Sequence, residues 1–191
     1  LHLGRHKLVL RLKAEGHPID GVTVSAGLPP VDEAVALLAE WRAAGLTQNS
    51  FKAGSDAQIE HVLRIADADG GPVILQVEGG RAGGHHGFHD LEGLLLRWYG
   101  RIRRRPNVLL AVGGGVGDGE RVQALLDGTW AQAHDRPVMP VDAVFVGTLA
   151  MACAEAQAAP AVKRALAAAG GSPKLLGRGD VDGAVRSGRS G

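Results

Sequence analysis

The sequence predicts an α/β fold, and more specifically a TIM (β/α)8 barrel of which this chain carries roughly strands four to eight. Five short apolar segments alternate with stretches of helical period, and glycine-rich turns follow the last three segments. Strands that are apolar along their whole length indicate a parallel sheet covered by helices. The five predicted strands are 21–25, 50–52, 72–77, 107–112 and 143–146.

Each predicted strand is joined to the next by a segment in which apolar residues recur every three to four positions. Between strands one and two, Val31, Val35, Leu38 and Trp41 follow this period, and Gly45 ends the helix. Ser55 with Gln58 three positions later is the pattern of a capping box, which predicts the start of the next helix. The predicted helices are 2–15, 31–44, 55–66, 91–102, one after Asp118, and alanine-rich helices to about 169.

The position of the glycines favours a barrel over a doubly wound sheet, the other architecture that this pattern allows. A dinucleotide-binding sheet keeps its phosphate glycines after the first strand, whereas barrels often bind phosphate after strands seven and eight. Strands 107–112 and 143–146 would be those two, so strands one to three would lie outside the chain. A complete barrel needs roughly 250 residues, which supports the same interpretation.

The domain prediction follows from this count. Residues 1–169 are expected to be the C-terminal part of the barrel. Residues 170–191 are expected to form a glycine-rich loop or tail that leads to a further region.

Composition excludes several kinds of partner. Net charge is +1, with 21 basic and 20 acidic residues, so nothing favours nucleic acid or an anionic membrane. The arginines at 101–105 are interpreted as a solvated helix end. Cys153 is the only cysteine, which fits a reducing, cytoplasmic compartment, and its alanine-rich surroundings predict a small buried side chain. The sequence has no apolar run of 18 residues that could span a membrane.

Two glycine-rich strand ends predict an anion site. Gly113, Gly114 and Gly115 follow the fourth strand, and Gly147 with Thr148 follows the fifth. Glycine lets backbone N–H groups approach a phosphate without interference from a Cβ atom. A helix beginning near Asp118 would add its positive end. Tight turns also need glycine, so the pair of loops on adjacent strands is the stronger signal, and the pattern does not decide the nucleotide.

The segment "AGGHHGFHD" places His85 and His86 among glycines directly after the third strand. An imidazole there can donate a proton near neutral pH or contact a cofactor. An inert surface loop and a metal site are the alternatives, and metal is disfavoured because adjacent histidines diverge and no ligand-spaced partner is near. Lys52, at the end of the second strand, either snorkels to solvent or faces a ligand. Gln76 and Glu78 are expected to face the mouth of the barrel, at the carboxyl ends of the strands. The alternative for Glu78 is that it fixes backbone amides of the glycine loop.

Several segments of the sequence resemble the enoyl reductase domain of fungal-type and bacterial type I fatty acid synthases. The resemblance rests on "GHPIDGVTVSAGLPP", "SFKAGS", "VILQVEGGRAGGHHGFHDLEGLLL", "VGGGVG" and "MPVDAVFVGTLAMA". It runs in order along nearly the whole chain. The element "AGGHHG" is also similar to one in flavin-dependent stand-alone enoyl reductases and nitronate monooxygenases.

The resemblance implies an FMN-binding TIM barrel in which NADPH reduces the flavin and the flavin reduces a trans-2-enoyl thioester on acyl carrier protein. It implies His85 as the proton donor, with His86 second. It also implies other synthase domains as partners and a homo-oligomeric parent enzyme. The implied FMN phosphate contacts are Gly113, Gly114, Gly115, Gly147 and Thr148, and the implied ring contacts are Lys52, Gln76, Gly79 and Gly80.

Two other functions stay open beside this one. A nitronate monooxygenase-like oxidase would use the same flavin and histidine without NADPH. A non-catalytic scaffold segment of a megasynthase would keep the helices for packing alone.

Overall fold

The structure is a computed structural model that describes residues 7–82 and 87–168. Its strands are β1 (Thr23–Val24), β2 (Ser50–Ala53), β3 (Val73–Glu78), β4 (Val108–Gly113) and β5 (Ala143–Phe145). Its α-helices are α1 (Leu8–Ala14), α2 (Val31–Ala43), α3 (Asp56–Asp69), α4 (Leu91–Arg103), α5 (Gly119–Asp127), α6 (Thr148–Ala152) and α7 (Pro160–Ala168). A 3₁₀ helix, Thr129–His134, follows α5.

The five strands form one parallel sheet in the order β1-β2-β3-β4-β5, as the sequence predicts for an α/β fold. Right-handed crossovers that always step in the same direction put every connecting helix on the same face of the sheet. A doubly wound sheet instead reverses its strand order, and the described strands do not. This is the arrangement of successive units in a barrel wall; closure into a (β/α)8 ring stays a prediction.

The core lies between the sheet and its helices. Phe51, Leu75 and Leu110 on neighbouring strands are fully buried on the helix-covered face. They pack with apolar residues of the helices, among them Leu63 of α3 and Leu94 of α4. Leu109, which points to the opposite face, is 47% exposed. One face of the sheet therefore carries the hydrophobic core, and the other is open within the part of the chain that the structure describes.

The helix starts follow the predicted capping signals. Ser55 Oγ accepts a hydrogen bond from the Gln58 amide at 3.3 Å, which confirms the capping interaction at the start of α3. The side chain of Gln58 does not complete the box at Ser55; its Oε1 accepts from the Gly54 amide at 2.8 Å. A carboxylate caps α4 in the same way, since Asp90 accepts from the Gly93 amide at 3.1 Å. Each cap satisfies an amide that the helix leaves unpaired.

The arginine-rich end of α4 is more than a solvated helix end. Three of its side chains form ion pairs, two of them with α3, so they tie neighbouring elements together. Asp142, which precedes β5, also accepts the Leu110 amide at 2.6 Å and so joins the two strands. The pairs are Arg101–Glu60 at 3.2 Å, Arg105–Asp67 at 2.6 Å and Arg103–Asp142 at 2.6 Å.

Other differences concern the chain ends. The predicted 2–15 helix is observed as Leu8–Ala14, with residues 1–6 outside the described part, as is the predicted tail at 170–191. The expectation of a buried Cys153 is wrong: its thiol is exposed. The reason is that α6 and α7, on either side of it, contain no buried residue and pack on each other. No helix within residues 7–82 and 87–168 is both long and apolar enough to cross a bilayer.

Candidate functional site

The predicted site residues that the structure describes lie at the carboxyl edge of the sheet. In the parallel register Lys52 is beside Gln76, and Glu78 is beside Gly113, which in turn is beside Phe145. Gly79 and Gly80 follow β3 directly, Gly114 and Gly115 follow β4, and Gly147 and Thr148 follow β5 by two and three residues. The fold thus gathers on one edge side chains that lie almost 100 residues apart in the sequence.

A cavity of about 280 Å³ lies at this edge, over the ends of β2 and β3. Lys52 and Glu78 contribute charged side chains to its wall, and Phe88 contributes an exposed aromatic ring. A polar, partly aromatic concavity at the carboxyl ends of parallel strands is the usual place for a ligand in such folds. Its lining residues are Ala26, Lys52, Gly54, Ser55, Gln58, Glu78, Gly87, Phe88 and His89.

Lys52 and Glu78 form an ion pair across the two strands. Glu78 keeps only 3% of its side chain exposed, whereas Lys52 keeps 27%, so the lysine is the more accessible half of the pair. Burial lowers the pKa of Lys52. Glu78 Oε1 has no hydrogen-bond partner among the described residues, so Lys52 carries most of the compensation of this carboxylate. Lys52 therefore lies in the cavity wall, and contact with a ligand there stays a prediction.

Gln76 belongs to a polar row on the same face of the sheet. Its Nε2 donates to Ser50 Oγ at 3.0 Å, and Ser50 Oγ lies 2.8 Å from Thr23 Oγ1. The row crosses the first three strands, deeper in the sheet than the Lys52–Glu78 pair. It fixes the Gln76 amide by bonds to hydroxyls within the protein, and it was not predicted as a network from the sequence.

Four of the predicted glycines are explained by close packing or by their backbone conformation. A Cβ on Gly114 would lie 2.7 Å from the Gly79 carbonyl oxygen, and one on Gly113 would overlap the Phe145 ring. A Cβ on Gly79 would lie 2.7 Å from Leu91 Cβ. Gly114 and Gly115 also have φ values of +97° and +79°, which only glycine adopts without strain. The backbone of Gly79 donates to Gly113 O at 3.0 Å and holds the two loops together. These glycines are needed by the fold itself, with or without an anion.

Gly147 is different. Its φ is −110°, which other residues adopt, and a Cβ there would meet no atom within 4 Å in the described structure. Thr148 beside it is exposed and begins the short helix α6. Neither strain nor crowding among the described residues explains glycine at 147.

The helix after β4 does not offer the free positive end that the sequence predicts. Asp118 caps α5, and its carboxylate accepts the Arg121 amide at 2.7 Å. A negative charge therefore occupies the helix start, which makes this terminus less attractive to an anion. An anion at the predicted site would therefore have to be bound by the loop backbones and by a cation outside α5.

His85 and His86, the predicted acid residues, lie outside the described residues, together with Gly83 and Gly84. The residues flanking them are placed: Ala82 follows the Gly79–Gly80 turn, and Gly87 lines the cavity. His89 is found just before α4, as expected, and its exposed side chain lines the same cavity. The described residues contain no group of three His, Cys, Asp or Glu side chains placed to hold a metal ion.

Sequence reasoning gave little weight to three residues that the structure places at this edge: Arg81, Phe88 and His89. All three lie in the segment "GGRAGGHHGFHD", so the signal was the continuation of the glycine–histidine motif on both sides. Adjacency in sequence does not show which of them turn toward a ligand. The packing of the loops after β2, β3 and β4 against one another decides that.

A parallel β/α segment with a charged cavity and glycine loops at its carboxyl edge is typical of α/β domains that bind ligands at that edge. Comparison with known proteins is more specific. A family model described as "Fatty acid synthase subunit beta/Fas1-like, helical" matches residues 72–181, more than half of the chain. The chain belongs to this family.

Individual relatives agree with the family. A fatty acid synthase beta subunit, pigK, from Monascus ruber is 41% identical over 170 residues, covering 88% of this chain and 8% of that protein. The aflB beta subunit of Emericella nidulans is 41% identical over 167 residues, with 87% and 8% coverage. The fatty acid synthase subunit beta of Saccharomyces cerevisiae is 36% identical over 167 residues, again covering 87% and 8%. The chain thus spans less than a tenth of the length of these relatives.

A solved structure of a FabK variant from Thermotoga maritima is also similar. Its TM-score is 0.57 at 25% sequence identity, and the match covers 83% of this chain and 45% of that chain. The described part of the fold therefore corresponds to a little under half of a larger α/β structure.

Proposed function

We propose that this chain is the enoyl reductase segment of a fatty acid synthase, which binds FMN at the carboxyl edge of its sheet and serves the NADPH-dependent reduction of trans-2-enoyl thioesters. The observation that carries the proposal is the Lys52–Glu78 pair in the cavity wall, on the same edge as the open Gly147 loop, in a chain of the fatty acid synthase beta-subunit family. Acyl carrier protein would deliver the substrate, and other domains of a homo-oligomeric synthase would surround this one.

The residues present fit a flavin mononucleotide. At Gly147 a small residue is found where the described neighbours do not require one, and the Thr148 hydroxyl next to it is exposed. Gly114 and Gly115 bring the backbone of the neighbouring loop to the same edge, with Gly113 beneath them. These five residues would hold the phosphate by backbone N–H groups and a hydroxyl.

The ring would lie over the ends of β2 and β3. Bound FMN supplies hydride transfer, from NADPH to the β-carbon of the enoyl group. Lys52 presents a partly desolvated cation there and favours negative charge on a bound ring. Gln76 is held in place by its bond to Ser50, while Gly79 and Gly80 keep the backbone close to the strand ends.

Proton delivery to the α-carbon is assigned to His85, with His86 as the second candidate. Both follow Ala82 and precede Gly87, which lines the cavity, so the loop that carries them starts and ends at this edge. An imidazole is suited to this step because its ordinary pKa lies near neutral pH.

The proposal is tested with the complete protein that carries this chain. Purified protein is expected to show flavin absorbance and to oxidise NADPH only when a crotonyl thioester is supplied. Oxygen consumption with an alkyl nitronate in the absence of NADPH would instead identify a nitronate monooxygenase-like oxidase. Protein with neither bound flavin nor turnover would identify a scaffold segment.

The histidine assignment has its own test. His85→Ala is expected to lower kcat about 100-fold or more while flavin stays bound, because general acid catalysis contributes about 10² to 10⁴ in rate. His86→Ala serves as the matched control at the adjacent position. Equal rates in wild type and His85→Ala, with a loss in His86→Ala, would move the role to His86.

A further inference from the structure

Arg81 is positioned by the glycine loop of the neighbouring strand. It follows the Gly79–Gly80 turn, and its aliphatic stem packs on Gly115. A Cβ on Gly115 would lie 2.9 Å from Arg81 Cβ and 3.2 Å from Arg81 Cδ. With φ at +79°, Gly115 provides both the turn and the room for this stem. The two loops therefore hold an arginine at the edge where β4 ends.

The guanidinium of Arg81 has no carboxylate or hydrogen-bond partner within residues 7–82 and 87–168, in contrast to four of the five arginines between positions 97 and 105. Arg81 is also exposed. A cation that is held by its stem and left without a counter-ion is available to an anionic ligand.

The loops that would hold a phosphate carry no cation of their own. Residues 114–118 read GGVGD, and residues 146–152 read VGTLAMA. The one charge among these residues is the Asp118 carboxylate at the start of α5, which opposes an anion. A phosphomonoester carries close to two negative charges at neutral pH, so a site built from these loops alone would leave it uncompensated.

We infer that Arg81 is the cation of this site and binds the phosphate group of FMN. The inference rests on the proposed function. It assigns to Arg81 a binding role distinct from that of Lys52, whose ammonium is paired with Glu78 in the cavity wall. Gly115 acts as a positioning residue, because its lack of a side chain lets the Arg81 stem lie on the loop.

The test compares FMN with riboflavin, which has the same ring system and no phosphate. Dissociation constants are measured by flavin fluorescence with the complete protein, for wild type, Arg81→Gln and Arg81→Lys. Arg81→Gln is expected to weaken FMN about 10- to 100-fold, the range of one charge-assisted interaction, and to leave riboflavin unchanged. Arg81→Lys should keep part of the affinity, and added salt should weaken FMN less in Arg81→Gln than in wild type.

Arg104→Gln is the matched control. Arg104 is exposed, has no ion pair in the described structure, and precedes β4, at the opposite edge of the sheet. This variant should bind FMN as wild type does.

Three results would overturn the inference. Equal weakening of FMN and riboflavin in Arg81→Gln would show a general effect on the site, and unchanged FMN binding would show that Arg81 takes no part. A loss for NADPH relative to NADH, with FMN unaffected, would assign Arg81 to the adenosine 2′-phosphate of NADPH. Wild-type protein that binds neither flavin would instead remove the proposed function on which the inference stands.

Discussion

The Lys52–Glu78 pair makes an asymmetric prediction for stability. In Lys52→Met the Glu78 carboxylate stays 97% buried and loses its cation, while its Oε1 already lacks a hydrogen bond among the described residues. In Glu78→Gln the remaining ammonium can move toward solvent, because 27% of the Lys52 side chain is already exposed. The lysine variant should therefore be the less stable of the two.

The magnitude follows from the burial of each partner. Removing one half of a fully buried pair costs about 3 to 5 kcal/mol, and the partial exposure of Lys52 reduces this to about 2 to 3 kcal/mol for Lys52→Met. For Glu78→Gln we expect about 1 kcal/mol, the cost of a lost charge-assisted interaction at a group that can rehydrate. In the double variant neither charge is left without its partner. Its loss of unfolding free energy should therefore be smaller than the sum of the two single losses by about 1 kcal/mol or more.

Urea unfolding of the four proteins at neutral pH measures these differences as shifts of the midpoint at constant slope. A Glu78→Gln variant at least as unstable as Lys52→Met would refute the reasoning, as would strict additivity in the double variant. Either result would mean that the carboxylate does not depend on Lys52 in the folded protein.

Two further comparisons test the glycine loops and the α3–α4 contact. Gly113→Ala should destabilise the protein by about 1 to 3 kcal/mol because its methyl group overlaps the Phe145 ring, whereas Gly147→Ala should leave the urea midpoint unchanged and weaken FMN binding. Equal midpoints for both would contradict the packing argument. The Arg105 hydrogen bond holds the pKa of Asp67 below its ordinary value. This ion pair therefore stabilises the fold above about pH 4, and its contribution is lost as the pH falls through the lowered pKa. Arg105→Gln should therefore cost about 0.2 to 1 kcal/mol at pH 7 and progressively less in acid; a difference that grows toward low pH would show the sign to be wrong.

The strands were predictable because their signal is local. The predicted strands 50–52, 72–77 and 107–112 fall within one residue of β2, β3 and β4 at each end. The 3₁₀ helix Thr129–His134 was not predicted, since its residues show no helical period of apolar positions, and the segment is held by tertiary contacts such as the hydrogen bond from Trp130 Nε1 to Met139 O at 2.9 Å.

The site was predictable in outline and not in its pairings. Strand ends that carry Lys52, Gln76 and glycine loops had to meet at one edge, because parallel strands share their direction. That Glu78 would take Lys52 as its ion-pair partner depends on the register between β2 and β3, and single-sequence patterns do not encode it. The same holds for Arg81, whose side chain packs on Gly115 in the loop after β4.

In the cavity wall, the loops after β2 and β3 contact each other through main-chain atoms of Gly54 and Gly87. A Cβ on Gly54 would lie 2.9 Å from the Gly87 backbone, and one on Gly87 would overlap the Gly54 carbonyl. An alanine at either position would push the two main chains apart. Substitutions at these two glycines therefore cannot change the shape of the cavity here without moving the backbone. Any adaptation of the cavity to a bulkier or slimmer ligand must therefore come through the side chains that line it.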